Sequence, residues 1–279
     1  MHLVRILKLL GVAFLFGGAA MYVASGGIEE DPITAFSGLS SMIAGLLVYF
    51  RGRQHAARSR AAGILTDARP DVVYLRAFRA DPSSLHRRLM QSLATDEEQL
   101  ADALRPFGDL VAIGRPGESL PLPGAARMYA SDAEWQNAVM ARIAVAPLVV
   151  IRAGVGAGLF WELQHTFRNV DPCRIIIWIL DVRQTDYETF RTQVGSSFAI
   201  TLPSVPILSV LEPFSRHDGP SRVRPGFIRF SSDWSPIFLP LPPIWIQLGY
   251  NDSRGAFRSA LRPLFEEHRV AWRPLGRFS

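Results

Sequence analysis

A single carboxylate stands beside a tryptophan after a glycine-rich turn. Residues 153–163, AGVGAGLFWEL, follow the apolar run APLVVI, so we expect a buried strand, a tight turn and then a helix. Glu162 would lie one turn into this helix, where the helix dipole favours the ionised carboxylate by a few tenths to about 1 kcal/mol. It is the only charged residue of the first two turns, and is either a functional acid or an ordinary surface glutamate. Trp161 is either a core residue or a stacking platform for a ligand.

Polar and aromatic residues follow the ends of three expected strands. The first strand ends in RAFRAD, the second is followed by GRPGE, and the third leads into the turn before Glu162. In open α/β sheets, ligands bind beyond the carboxyl ends of the strands. Arg76 can face solvent or contact a phosphate, and the sequence leaves both open. The first two stretches supply six candidate binding residues: Arg76, Phe78, Asp81, Arg115, Pro116 and Gly117.

The glycines of the turn also suggest a dinucleotide-binding loop. Gly154, Gly156 and Gly158 follow a strand, and Asp181 closes the next strand, where a ribose-binding acid would stand. Their spacing, GxGxG, lacks the last glycine of GxGxxG, so the pattern is weak. A tight strand-to-helix turn explains the same glycines without a ligand.

The sequence lacks the motifs that metal binding, serine hydrolysis and nucleotide hydrolysis would require. The six histidines show no spacing typical of a metal site, and Cys173 is the only cysteine, which excludes an intramolecular disulfide and favours a reducing compartment. Neither a GxSxG elbow nor a GxxxxGK[ST] phosphate loop is present. The formal net charge is +5, but Lys8 is the only lysine and the arginines are scattered. We therefore expect no metal and no nucleic-acid partner.

Strands and helices alternate through the rest of the chain. Capping-box spacings at Thr95 with Glu98 and at Ser131 with Glu134 predict two helix starts. This alternation predicts an α/β fold with a five-stranded parallel sheet covered by helices on both faces. The expected strands are 71–78, 109–114, 147–151, 174–181 and 226–230, and the expected helices are 96–108, 132–144, 157–167, about 186–194 and about 252–268. A Gly- and Pro-rich loop is expected over 115–129.

The first fifty residues are more apolar than the rest of the chain and contain two long uncharged runs. No residue is charged from Leu9 to Gly27 or from Ile33 to Phe50, and each run approaches the length of about 20 residues that crosses a bilayer. Basic residues precede the first run and follow the second, and a short acidic segment separates the two runs. By the positive-inside rule, the sequence predicts a transmembrane helical hairpin with both termini in the cytoplasm. A cleaved signal peptide is the alternative for the first run, and the absence of charges favours an anchor over a channel.

This division predicts three segments. We expect a transmembrane hairpin over 1–50, a basic linker over 51–70 and a cytoplasmic α/β domain over 71–279.

The order of parts resembles a TIR (Toll/interleukin-1 receptor-like) domain. The stretch YLRAFRAD resembles the aromatic and charged end of the family's first strand, and GRPGESLPLPG resembles its Pro-Gly loop. GAGLFWEL resembles its third helix, which opens with a small residue, a tryptophan and a glutamate. In this chain Trp161 and Glu162 are adjacent, whereas the family has about two residues between them. The resemblance implies a flavodoxin-like fold.

The resemblance also implies an activity. Enzymatic TIR domains cleave the nicotinamide–ribose bond of NAD, and several bacterial members act in anti-phage defence when they oligomerise. NAD would be the substrate, no cofactor would be needed, and Glu162 would be the catalytic acid. Phe78 or Trp161 would pack on a base, and the loop over 115–124 would close on NAD or dock on a neighbouring copy. A bacterial inner-membrane location follows. The alternative is a non-enzymatic TIR-like module that acts by homotypic assembly.

Overall fold

The structure, a computed structural model, describes eight segments of the chain. They are residues 2–28, 30–64, 70–77, 96–114, 126–129, 135–207, 221–242 and 253–272. The chain divides into two compact units. One contains the two N-terminal helices, and the other contains the sheet with its covering helices.

The second unit is built on a mixed sheet of seven strands. In chain order these are β1 Asp71–Leu75, β2 Asp109–Gly114, β3 Ala126–Tyr129, β4 Val149–Arg152, β5 Ile175–Ile179, β6 Gly226–Phe230 and β7 Pro236–Pro240. Their order across the sheet is β3-β2-β1-β4-β5-β6-β7. The first five in this order are parallel, and β6 and β7 are added antiparallel. The protein is therefore an α/β structure with a mostly parallel sheet.

Helices cover both faces of this sheet. Within the described residues the helices are α1 His2–Ala24, α2 Pro32–Ile64, α3 Asp96–Leu104, α4 Trp135–Val145, α5 Ala157–Asn169, α6 Gln184–Phe198, α7 Ser253–Ala260 and α8 Arg262–Glu267. Apolar residues of α4, α5 and α6 form one core with alternate residues of the central strands, such as Val73 and Ile177. Residues of α3, α7 and α8 form a second core with the other alternate residues, such as Val72 and Trp178. Because both faces are covered, β5 reads as an unbroken apolar run.

Several details differ from the sequence-based expectation. The sheet has seven strands rather than five, and the strand predicted over 226–230 is antiparallel. β3 lies in the segment predicted as a loop. β7 was not predicted, because it begins and ends with proline, a residue that is uncommon within strands. The predicted terminal helix is two helices, because Pro263 lies in the first turn of α8. α2 continues to Ile64, so the first part of the expected basic linker is helical.

The strand order creates a switch point at β1. The chain passes from β1 to β2 on one side and returns to place β4 on the other side of β1. At such a point the connections leave the carboxyl ends of two neighbouring strands in opposite directions, which opens a crevice there. The candidate residues that follow β1 and β4 therefore belong to the edge where a ligand would bind.

The two N-terminal helices pack through small residues. A Cβ atom added to Gly11 would lie 2.7 Å from the carbonyl oxygen of Gly45, and Ser41 Oγ donates a hydrogen bond of 3.1 Å to the Phe14 carbonyl oxygen. The outward surfaces of both helices carry large apolar side chains. The exposed ones include Ile6, Leu9, Phe14, Phe16, Val23, Ile33, Phe36, Ile43 and Leu47.

One stretch of these helices satisfies the criteria for a membrane span. Within the described residues, Pro32–Tyr49 is long and apolar enough to cross a bilayer, and Leu9–Ala24 is a shorter apolar helical stretch. The Pro32–Tyr49 stretch is mostly unburied.

We predict that Gly18 is required for close packing of α1 on α2 and that Gly17 is not. A Cβ atom on Gly18 would lie 2.5 Å from the Gly38 carbonyl oxygen, whereas one on Gly17 would meet nothing within 4 Å. Gly18→Val should therefore force the helices apart at a cost of about 1–3 kcal/mol, as overpacking does. Gly17→Val should leave the pair unchanged.

The distance between the helices can be measured by electron–electron double resonance on the full chain in detergent. Spin labels would be placed at Phe16→Cys and Ile43→Cys, two exposed positions on α1 and α2, with Cys173→Ser to remove the native thiol. We expect a longer and broader distance distribution for Gly18→Val only. Identical distributions for both valine variants would contradict the glycine contact.

Candidate active site at the carboxyl edge of the sheet

The turn between β4 and α5 passes the end of β1. It comprises residues 153–156, and a Cβ atom added to Gly156 would lie 3.5 Å from Ala77 Cβ, an ordinary contact. The φ angle of Gly156 is 166°, which is extended backbone open to any residue. Backbone strain therefore does not explain this glycine. Its effect is to leave the turn without a side chain at the edge where the crevice opens.

α5 buries one stripe of side chains against the sheet. The buried residues are Leu159, Glu162, Leu163, Thr166 and Phe167, which is the spacing of a single helix face. Glu162 is 3% exposed and lies in the middle of this otherwise largely apolar stripe. The interpretation of Glu162 as a surface glutamate is therefore wrong.

The environment of Glu162 opposes its charge. Its Oε2 atom is buried and has no hydrogen-bond partner in the structure as described. Burial raises the pKa of Glu162 from 4.5 to about 8, because water no longer solvates the ionised form. A shift of this size corresponds to several kcal/mol, far more than the helix dipole contributes in the opposite direction. At neutral pH the group is mostly a protonated acid, a state typical of functional carboxyls.

Trp161 lies at the contact between α4 and α5. Its ring meets Trp135 edge-on with centroids 5.0 Å apart, and it stacks on His165 at 6.1 Å with an angle of 12° between the planes. Trp161 is half-buried and packs against the core on the α5 side of the sheet. These contacts fix the first turns of α5, whereas a stacking role toward substrate stays a prediction.

Arg76 belongs to a polar cluster on the other face of the sheet. Its Nη1 atom lies 3.0 Å from Glu97 Oε1, and the Tyr74 hydroxyl donates a hydrogen bond of 3.3 Å to the same oxygen. Glu97 lies on α3 and is 6% exposed. Burial, aided by the Glu97 charge, raises the pKa of the Tyr74 phenol, so the phenol keeps its proton. The solvent-exposed alternative for Arg76 is therefore excluded.

Arg152 ends β4 at the same edge. Its guanidinium carbon lies 5.5 Å from the centre of the Trp178 ring, a cation–π distance. Arg152, Tyr74 and Glu97 were not predicted from the sequence as candidate site residues. The signal for Arg152 was a charged residue closing an apolar strand next to the glycine-rich turn. No local signal could link Glu97 to Arg76, because they are 21 positions apart.

Asp181 is engaged elsewhere. Its carboxylate forms an ion pair with Arg222, whose Nη1 atom also donates a hydrogen bond of 3.2 Å to the Asp181 carbonyl oxygen. A ribose-binding acid would need this carboxylate for the ligand. The dinucleotide-loop interpretation of the glycines therefore loses the acid on which it relied.

The remaining candidates lie outside the described residues. These are Phe78, Asp81, Arg115, Pro116 and Gly117. Across the described segments, no group of three or more His, Cys, Asp or Glu side chains is arranged to hold a metal ion. The residues brought to the carboxyl edge are thus Arg76 with its cluster, Arg152 and the helix that carries Glu162.

Comparison with known protein families, with curated proteins and with solved structures finds no match. The resemblance to TIR domains therefore rests on the motifs of this sequence alone.

We predict that Glu162 makes the stability of the protein depend on pH. The pKa is about 8 in the folded state and roughly 4.3 in an unfolded chain, so the folded state binds more protons between these values. Stability should therefore fall by up to about 1.4 kcal/mol per pH unit as the pH rises from about 5 to 8. Glu162→Gln should lack this slope and should be more stable than the wild type at pH 8 by several kcal/mol.

Urea unfolding of the full chain in detergent, followed by tryptophan fluorescence across this pH range, measures the difference. The control is Glu188→Gln, since Glu188 is a half-exposed carboxylate that pairs with Arg191 at 2.7 Å. This variant should keep the wild-type slope. If Glu162→Gln and wild type show the same dependence on pH, the carboxyl is not held neutral by burial.

Proposed function

We propose that the protein is a membrane-anchored, TIR-like effector that cleaves the nicotinamide–ribose bond of NAD, with Glu162 as the catalytic carboxyl group. The observation that carries this proposal is the burial of Glu162, whose Oε2 atom has no hydrogen-bond partner among the described residues, on the helix that follows β4 at the switch point. A buried polar group without a partner costs stability. A fold that retains such a group at a ligand-binding edge favours a chemical role for it.

The reaction suits one carboxyl group. The bond between ribose C1′ and the nicotinamide nitrogen breaks, and its electron pair moves onto the ring nitrogen, which neutralises the pyridinium charge. Water adds to C1′ and releases a proton to solvent, so NAD⁺ and water give nicotinamide, ADP-ribose and H⁺. The leaving group is neutral once released, so no general acid is required.

Glu162 would act on the charge that develops at the ribose. A cation close to a buried carboxyl lowers its pKa, so arrival of the positively charged nicotinamide riboside moiety favours the ionised form. The carboxylate then stabilises the positive charge that spreads over C1′ and the ring oxygen in the transition state. The low dielectric that raises the pKa of the free carboxyl also strengthens this interaction.

The strand order supports the flavodoxin-like part of the proposal. Without the short edge strand β3, the order β2-β1-β4-β5 has the same pattern as the 2-1-3-4 portion of a flavodoxin-like sheet. The antiparallel strands β6 and β7 then extend the β5 side of that arrangement. A non-enzymatic assembly module is the alternative, but it provides no reason for a buried carboxyl at this edge whose Oε2 atom has no partner among the described residues.

The membrane anchor is supported by the N-terminal pair of helices. Their outward side chains are large and apolar, which water does not favour, and close glycine contacts are typical of helices that pack in a bilayer. Basic residues precede α1, and arginines lie in the last turns of α2. This distribution favours a short external turn with both termini in the cytoplasm. Confinement to a plane raises the effective concentration and favours homo-oligomers.

We predict that the full chain, reconstituted in liposomes at high density, releases nicotinamide from NAD. Glu162→Gln should reduce the rate by about 100-fold or more, because one electrostatic contact to the transition state is lost. The matched control is Glu188→Gln, which removes a half-exposed carboxylate on α6 and should leave the rate unchanged. Nicotinamide is quantified by chromatography.

Two results would contradict parts of this proposal. Equal rates for wild type and Glu162→Gln would mean that another residue is the catalytic one. If the wild type is inactive even at high density, the homotypic assembly module becomes the better explanation.

We also predict the orientation in the membrane. In cells that express the chain with Cys173→Ser, a membrane-impermeant maleimide should label Glu30→Cys, in the turn between α1 and α2, from outside. It should label Arg183→Cys, an exposed position in the α/β unit, only after permeabilisation. Labelling of both positions from outside, or of neither before permeabilisation, would contradict the predicted orientation.

A further inference from the structure

Two arginines end neighbouring strands at the switch point. The register of β1 and β4 pairs Leu75 with Ile151. Arg76 directly follows Leu75, and Arg152 directly follows Ile151. The register of β4 and β5 pairs Arg152 with Trp178. Two guanidinium groups and an indole ring are therefore aligned across the carboxyl ends of three adjacent parallel strands.

The two guanidinium groups differ in their partners. Arg76 is paired with Glu97, which also accepts the hydrogen bond from Tyr74. Arg152 lies over the Trp178 ring and makes a side-chain hydrogen bond with Tyr74. Among the described residues, Arg152 forms no direct ion pair with a carboxylate.

Among the described residues, one carboxylate, that of Glu97, lies beside these two guanidinium groups, so a second anion would balance their charge. Arg152 is half-buried, and like charges at neighbouring positions of a sheet destabilise it. The cation–π contact offsets part of this cost and holds the plane of the guanidinium against the ring. A planar guanidinium fixed in this way matches the oxygens of a phosphate group with two parallel hydrogen bonds.

We propose that Arg152, held over Trp178 and flanked by Arg76, is the centre of an anion subsite that binds the diphosphate bridge of the dinucleotide. This inference rests on the proposed function, since it assigns a second part of the same substrate. Arg152 packs on the face of the core that contains Trp178, whereas α5 packs on the opposite face. A ligand that crosses the carboxyl edge would meet Arg152 on one side and Glu162 on the other.

The turn between β4 and α5 fits such a crossing ligand. Only residues 153–156 separate the strand that ends in Arg152 from the helix that carries Glu162. Gly154 and Gly156 leave two positions of this turn without side chains beside Ala77. The backbone can therefore approach a ligand that spans the two groups.

The test uses inorganic pyrophosphate and ADP-ribose as probes, with the full chain in lipid nanodiscs. Isothermal titration calorimetry should show binding of both to the wild type, weakened by about tenfold or more in Arg152→Gln through loss of a charge-assisted contact. Arg262→Gln is the matched control, because Arg262 also lies over an indole ring, that of Trp272 at 5.0 Å, but on α8. It should bind both probes as the wild type does.

Arg152→Lys is a second variant that tests the subsite even if Arg152→Gln fails to fold. It keeps the charge but loses the planar fork, so pyrophosphate should bind several-fold more weakly than to the wild type. In nicotinamide release, both Arg152 variants should raise KM for NAD with a smaller change in kcat, as expected for loss of binding at a remote group.

The outcomes separate this inference from the proposed function. Arg152-dependent binding of pyrophosphate without NAD cleavage would support the anion subsite and overturn the proposed activity. NAD cleavage that needs Glu162, with pyrophosphate binding and KM unchanged in both Arg152 variants, would overturn the subsite alone. Absence of pyrophosphate binding to the wild type at millimolar concentration would also overturn it.

Discussion

The parallel pairing of β4 between β1 and β5 is the constraint on which the site depends. β4 is buried on both faces, so its register is fixed by two neighbouring strands and by a helical layer on each side. A slip of one residue would exchange its apolar faces and carry Arg152 to the other side of the sheet. The same register sets where the chain leaves the sheet, and hence where α5 begins. The position of Glu162 therefore follows from the pairing of a strand that ends ten residues before it.

A carboxyl group and a guanidinium group lie in different electrostatic environments on the two faces of the sheet, near its carboxyl edge. On the α5 side, an apolar environment holds the Glu162 carboxyl neutral by raising its pKa to about 8. On the other side, the guanidinium of Arg152 lies over the Trp178 ring. NAD carries a cationic nicotinamide ring at one end and an anionic diphosphate farther along. If NAD is the substrate, as we propose, the ionisable acid and the guanidinium at this edge have the order of charges that complements it.

The sequence predicted the parts of the fold whose pattern is dictated by burial. Ile175–Ile179 is apolar at every position because helices cover both faces of the sheet. β3 and β7 were missed since they are short edge strands, and the prolines of β7 conceal its pairing with β6. Glu162 was proposed as a candidate from its place after the turn, but its burial was not predicted, because a glutamate in a helix is ordinarily exposed. The pairing of Arg76 with Glu97 could not be predicted, because it depends on a tertiary contact that no local sequence pattern indicates.

Burial of Glu162 links stability to chemistry in this fold. An ionised carboxylate at that position would be favoured by the helix dipole, by an amount that is small beside the cost of desolvation. Exposing the group would remove that cost, but it would also admit water that weakens any interaction with a developing charge. The apolar stripe of α5, anchored by Leu159, Leu163 and Phe167, sets this balance. The packing that makes the carboxyl costly to ionise in the free protein would, in the proposed reaction, also strengthen its interaction with a cation bound at the edge.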